Sequence, residues 1–136
     1  MVESTHEFIN IIKSVNNADM IASLDVESLF TNIPVVETID IILRNVYEND
    51  SIAPPLIPKN ILRELLMTCT TENPFQNLNG DTYIQIDGVS MGSPLGPLFA
   101  NFYMSNLENE VLLNWSEKPV VYCRYVDDIF LIINNE

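Results

Sequence analysis

The stretch Val120-Val-Tyr-Cys-Arg-Tyr-Val-Asp-Asp-Ile-Phe-Leu-Ile-Ile133 constrains the fold most, because it sets two adjacent carboxylates, Asp127 and Asp128, between two apolar runs. Both arms are rich in β-branched and aromatic residues and have strand composition. An ionised carboxylate placed unpaired in an apolar core is very costly, so the acids belong at a turn. The pattern therefore predicts a hairpin with acid at its tip. Adjacent aspartates on a rigid hairpin repel each other, and a divalent cation that prefers oxygen ligands would relieve that repulsion. Asp-Asp is also good turn chemistry by itself. The dipeptide alone leaves both readings open.

A chain of 136 residues is long enough for one domain with a real core, burying about two-thirds of the surface its unfolded form exposes. A second domain is not expected. The longest apolar runs are too short to span a bilayer, which predicts a soluble globular protein. The N-terminus lacks the basic and continuous apolar regions of a secretory signal, so an intracellular setting is expected. Cys69 and Cys123 both sit in apolar stretches and read as reduced core residues, not as a disulfide framework or a zinc site. Six basic residues against 19 acidic ones give a net charge of −13. That balance argues against holding nucleic acid by phosphate neutralisation alone. A nucleic-acid function would need basic surface supplied elsewhere, or metal ions to offset the acids.

In chain order, Phe8, Ile9, Ile12 and Val15 recur at helical spacing behind a cap candidate at Ser4 or Thr5, predicting a short amphipathic helix that Asn16-Asn17 breaks. Residues 20–26 form an apolar run of strand length, expected to be a buried strand delivering Asp25 at its C-terminal end. Asn32-Ile33-Pro34 reads as a helix start with proline in the first turn. The helix that follows carries Val36, Ile39, Ile42, Leu43 and Val46. Pro58 opens another through Ile61, Leu62, Leu65, Leu66 and Cys69. Asn79-Gly80 signals a hairpin between short strand-like runs. Residues 87–97 hold three glycines and two prolines and mark a loop of special backbone geometry. A long helix over residues 98–115 follows, and the Asp-Asp hairpin closes the sequence. The fold class expected is α+β: an antiparallel sheet covered by helices, with Asp25 and the Asp127/Asp128 tip sharing one sheet.

Asp25, Asp127 and Asp128 together would suit a site holding two Mg2+ ions for phosphoryl transfer. Asp25 could equally cap its strand and bind nothing. The loop over residues 88–97 could cradle a phosphate through backbone N–H groups and the Ser93 hydroxyl. It lacks the Gly-Lys-Ser/Thr ending of a P-loop and the dinucleotide spacing, so a plain strand-to-helix turn is the other reading. Phe30 would ordinarily be core, and Glu27 solvated. His6 has no histidine partner and Ser93 no triad base, which disfavours hydrolase chemistry.

Three blocks in this order resemble the catalytic palm of reverse transcriptases, and most closely those of Penelope-like retroelements. They are Ser23-Leu-Asp-Val-Glu-Ser-Leu-Phe-Thr-Asn-Ile-Pro34, Asp87-Gly-Val-Ser-Met-Gly-Ser-Pro-Leu-Gly-Pro-Leu-Phe-Ala-Asn-Phe-Tyr103 and Tyr122-Cys-Arg-Tyr-Val-Asp-Asp-Ile-Phe130. Resemblance of the first to motif A implies that Asp25 is a metal ligand with the Val26 carbonyl nearby. It also implies that Phe30 lies under the incoming sugar, where its ring excludes a ribose 2′-hydroxyl. The second resembles motif B, whose turn lines the nucleotide pocket through Gly92, Ser93 and Pro94; Met91 stands where many of these enzymes carry Gln. The third resembles motif C, making Asp127 the second metal ligand, Asp128 the supporting acid and Tyr125 a neighbour of the primer end.

The resemblance thus implies a polymerase palm-like, partial domain over residues 1–136, with the remaining fingers and the thumb outside it. The implied activity is RNA-directed DNA synthesis, in which a primer 3′-hydroxyl attacks a deoxynucleoside triphosphate. Two Mg2+ ions, or Mn2+ in their place, are the implied cofactors; an RNA template, a DNA primer and deoxynucleoside triphosphates are the implied partners, with no membrane. A nuclear location follows from the resemblance only. Missing fingers and thumb imply that the fragment is inactive alone, because positioning carries much of phosphoryl-transfer catalysis. The competing expectation is a non-enzymatic remnant of a truncated retroelement that at most binds metal or a protein partner.

Overall fold

Helix α1 (Thr5–Lys13) begins where the sequence supplies a cap: the Ser4 hydroxyl accepts a hydrogen bond from the Glu7 amide at 3.2 Å, and Glu7 lies in the first turn, where the helix dipole favours an acid. The computed structural model describes residues 2, 4–16, 20–51 and 53–134. The expected helix break at Asn16-Asn17 falls partly outside the described residues. After α1 the order is β1 (Met20–Asp25), α2 (Leu29–Asn32), α3 (Val35–Tyr47), α4 (Lys59–Thr71), β2 (Pro74–Gln76), β3 (Thr82–Ile84), α5 (Gly96–Asn114), β4 (Val121–Tyr125) and β5 (Asp128–Ile133). Helices and two antiparallel sheets are thus combined, as the α+β expectation has it. The chain divides into two compact units, one made of Met1–Glu27 with Leu107–Glu136 and the other of Ser28–Asn106.

The first unit is built on a three-stranded sheet in the order β1-β5-β4, antiparallel throughout. Side chains alternate between the faces of a strand. On one face Val121, Cys123 and Ile132 pack with Phe130 against Phe8, Ile11, Ile12 and Val15 of the α1 segment. Phe8 and Phe130 meet edge-to-face at 5.2 Å between ring centroids, a favoured arrangement of aromatic quadrupoles. The opposite face carries Tyr122 and Arg124, which meet Glu108 of α5. Strand β1 is not the buried strand its apolar run predicts. It lies at an edge of the sheet, and Met20, Ile21 and Leu24 are exposed.

In the second unit, Pro34 and Pro58 sit at the N-caps of α3 and α4, each one position before the first helical turn. The core stripe of α3 is Thr38, Ile39, Ile41, Ile42 and Leu43, while Val36 is exposed. On α4 the buried positions are Leu66, as expected, and Thr70, which was not, while Ile61 and Leu65 are exposed. Cys69 is therefore exposed, contrary to the core placement expected of it, whereas Cys123 is buried and its thiol is pushed up by that burial. The β2–β3 hairpin is closed by residues 77–81, longer than a two-residue Asn-Gly turn. The Asn77 side chain accepts from the amides of Asn79 and Asp81, and Gly80 takes a φ of +87°. Helix α5 starts at Gly96, two residues ahead of the expected position, and accommodates Pro97 in its first turn.

Candidate active site

The last hairpin turns on two residues, Val126 and Asp127, between the paired Tyr125 and Asp128. Val126 has a φ of +56°. A positive φ at the first loop position suits the primed turns of two-residue hairpins, but for a β-branched residue the left-handed region costs on the order of 1–3 kcal/mol. Two hydrogen bonds hold this backbone. The Val26 amide donates to the Asp127 carbonyl at 3.1 Å, and Nη1 of Arg124 donates to the Val126 carbonyl at 3.0 Å.

Register then decides what lies beside the turn. Asp25 pairs with Asp128, and Asp128 pairs with Tyr125, so one rung across the three strands carries two acids and a tyrosine. Asp127 follows directly in the turn, and Val26 is bound to its backbone. Five of the expected site residues, Asp25, Val26, Tyr125, Asp127 and Asp128, are thereby gathered at one end of one sheet. Asp25, Asp128 and Tyr125 are exposed and Asp127 is half-buried, so their oxygens are open to a ligand. A cavity of about 540 Å³ runs on the α1 side, between Ser4, Thr5 and Phe8 and the rung residues Tyr125 and Asp128. Among the described residues no three His, Cys, Asp or Glu side chains converge as a ready metal-binding group. The chain offers instead hard oxygen donors from neighbouring backbone positions, the donor chemistry that Mg2+ takes.

The remaining expected residues belong to the second unit. Phe30 lies on the single turn of α2, capped by Ser28, whose φ is +52° and whose carbonyl accepts from Thr31 and Asn32. The glycine-rich loop is fastened to it: the Val89 amide donates to the Phe30 carbonyl at 2.8 Å, and Val89 is fully buried. Gly88, at φ +72°, leaves no room for a side chain, since a Cβ would stand 2.5 Å from the Phe30 carbonyl oxygen and the Thr31 backbone. A Cβ on Gly96 would press on the Phe30 ring at 3.3 Å. Ser93 uses its hydroxyl within the loop, accepting from the Leu95 amide at 3.3 Å, and Pro94 lies between them. Gly92 has a φ of +90° with open space where a side chain would project, consistent with a loop that presents its backbone outward.

Three residues of the first unit escaped the sequence reading. Arg124 is completely buried and forms an ion pair through Nε and Nη2 with the Glu108 carboxylate; the Nη2 bond to Oε2 is 3.3 Å. Tyr122 donates to Glu108 Oε1 at 2.7 Å, and its burial, reinforced by that bond, pushes the phenol well above its usual range. The available signal was a single arginine inside a strand otherwise made of core residues, which requires a carboxylate partner from another element.

A family model of reverse transcriptase (RNA-dependent DNA polymerase) matches residues 1–136. Among solved structures, the fold is similar to apo telomerase from Candida tropicalis truncated from its C-terminal domain, with a TM-score of 0.64 and 18% sequence identity. That similarity covers 99% of this chain and 30% of the telomerase chain, so the sequence spans about a third of the neighbour's length. No curated protein matches the sequence.

Proposed function

The chain belongs to the reverse transcriptase (RNA-dependent DNA polymerase) family, and on that premise we propose that it is the catalytic palm portion of an RNA-directed DNA polymerase of the Penelope-like retroelement type. The observation that carries this reading is the register of β1 on β5, which sets Asp25 opposite Asp128 and ties Val26 to the turn holding Asp127. Acids that stand far apart in the sequence converge at one end of the sheet, and phosphoryl transfer needs concentrated negative charge to hold cations.

In this reading Asp25, the Val26 carbonyl and Asp127 hold two Mg2+ ions, Mn2+ being able to replace them, and Asp128 supports the pair. Mg2+ supplies there the charge stabilisation for attack of a primer 3′-hydroxyl on the α-phosphate of a deoxynucleoside triphosphate, with pyrophosphate leaving. Phe30 excludes the ribose 2′-hydroxyl, Gly92, Ser93 and Pro94 line the nucleotide, and Tyr125 stands beside the primer end. An RNA template and a DNA primer are the partners, and their phosphates call for cationic surface that a chain of net charge −13 does not supply by itself. The palm therefore works as part of a longer polymerase and is inactive alone; a nuclear location rests on the family resemblance. Among the described residues no helix is long and apolar enough to cross a membrane.

Primer extension on an RNA template tests the reading, with the chain in its full-length polymerase and Asp127→Asn as the comparison. Extension that needs Mg2+ and vanishes in the variant is expected. Equal extension by both proteins would remove Asp127 from the chemistry and with it this assignment.

A further inference from the structure

The pair of Arg124 and Glu108 does more than fill the sheet face it occupies. Buried ion pairs add little net stability, because the desolvation of both charges offsets their attraction, and apolar residues of similar volume commonly serve as well. An apolar pair could not do one thing that Arg124 does. Its guanidinium has five donors in a planar fork; Nε and Nη2 engage Glu108, and Nη1 reaches the carbonyl of Val126 at 3.0 Å. Val126 is the residue held at φ +56°, and the next residue is Asp127.

The guanidinium is held at Nε and Nη2 by Glu108 and at Nη1 by the Val126 carbonyl. The Arg124 backbone is set in β4, where it pairs with Ile129 of β5 and its carbonyl accepts the Val2 amide at 2.9 Å. Its carboxylate partner is held in turn by the Tyr122 hydroxyl at 2.7 Å. The result is a chain of contacts, Tyr122 to Glu108 to Arg124 to the Val126 carbonyl, that ends on the strained peptide before the acid. On the other side of the same turn the Val26 amide holds the Asp127 carbonyl. The turn is thus pinned at two successive carbonyls, from opposite strands.

We propose that Arg124, oriented by Glu108, is a positioning residue that holds the Val126–Asp127 turn in its left-handed conformation and so sets the Asp127 carboxylate for a divalent cation. The proposal rests on the reading of Asp127 as a metal ligand, and the test separates the two. In the full-length protein, Glu108→Leu combined with Arg124→Met replaces the pair by apolar residues and removes the donor to Val126. Two quantities are read: Mn2+ binding by electron paramagnetic resonance, and hydrogen exchange of the Val26 amide relative to amides within the β4–β5 ladder.

The double variant is expected to keep the ladder protected while Val26 protection falls and the Mn2+ dissociation constant rises, each on the order of tenfold, the scale of lost outer-shell support around a metal. Unchanged Mn2+ binding and unchanged Val26 exchange would overturn the proposal. Should the double variant not fold, Arg124→Lys gives the same two readings, since it keeps the charge beside Glu108 and loses the fork; parent-like values in that variant overturn the proposal equally. If Asp127→Asn binds Mn2+ as well as the parent does, the metal reading fails. Val26 exchange alone then decides whether Arg124 holds the turn.

Discussion

Asp25 and Asp128 stand directly opposite each other on the paired strands β1 and β5, two carboxylates on one rung with no basic residue in register between them. Like charges placed so oppose strand pairing. Such a pairing persists in a folded sheet only if the rest of the ladder holds it.

The first prediction follows from that repulsion. Asp128→Asn should stabilise the protein in the presence of a chelator by a few tenths of a kcal/mol, since both groups are exposed and screened. Adding Mg2+ should narrow or reverse the gain, because in the proposed site cations held by Asp25 and Asp127 would then offset the charge of Asp128. Urea denaturation with and without Mg2+ measures both, and a variant less stable than the parent in chelator would contradict it.

Gly88 and Gly80 provide a matched pair for the second prediction. Both have positive φ, but a Cβ at Gly80 meets open space while one at Gly88 collides with the backbone of Phe30 and Thr31. Gly80→Ala should cost about 1–2 kcal/mol, the left-handed penalty alone. Gly88→Ala should cost more, and by displacing Phe30 it should raise ribonucleotide incorporation relative to deoxynucleotide incorporation by the full-length polymerase. Equal destabilisation by the two substitutions would show that the loop yields freely at Gly88.

A third prediction concerns alkaline pH. The Tyr122 phenol is raised by burial and by its bond to Glu108, and the Cys123 thiol is raised by burial. Each holds its proton more tightly in the folded state than in the unfolded one. The associated stability is therefore complete below their ordinary values, 9.0 for the thiol and 10.0 for the phenol, and is lost as pH rises beyond them. Urea midpoints should fall with rising pH above about 9. Tyr122→Phe should flatten that fall above the phenol's ordinary value, and a slope identical to the parent's would refute the assignment.

The fourth prediction is local to α1. Ser4→Ala removes the acceptor for the Glu7 amide and should cost about 1 kcal/mol. Phe8→Ala, which empties the ring contact with Phe130, should cost more, roughly 2–4 kcal/mol for a partly buried aromatic. Thermal denaturation orders the two variants, and a cost for Ser4→Ala equal to that of Phe8→Ala would mean that capping, not packing, holds α1 to the sheet.

Much of this protein is determined by local pattern. Periodicity placed α1, α3, α4 and α5 but not the single turn of α2, a cap residue marked the start of α1, and the apolar runs around Asp127 and Asp128 required a hairpin whose turn carries acid, since burial of an unpaired carboxylate is prohibitive. Tertiary pairing decided the rest. Whether an apolar run such as residues 20–25 is central or at an edge depends on how many strands it meets, which no local pattern encodes, and β1 is an edge strand. Which face of α4 is buried depended on its packing partner, and so Cys69 is outside and Thr70 inside. The left-handed Val126 is likewise invisible to composition, because valine disfavours that conformation and only surrounding contacts can impose it. The tip that sequence identifies as acidic is given its shape by Arg124 and Glu108, residues brought together by folding across a helix and a strand.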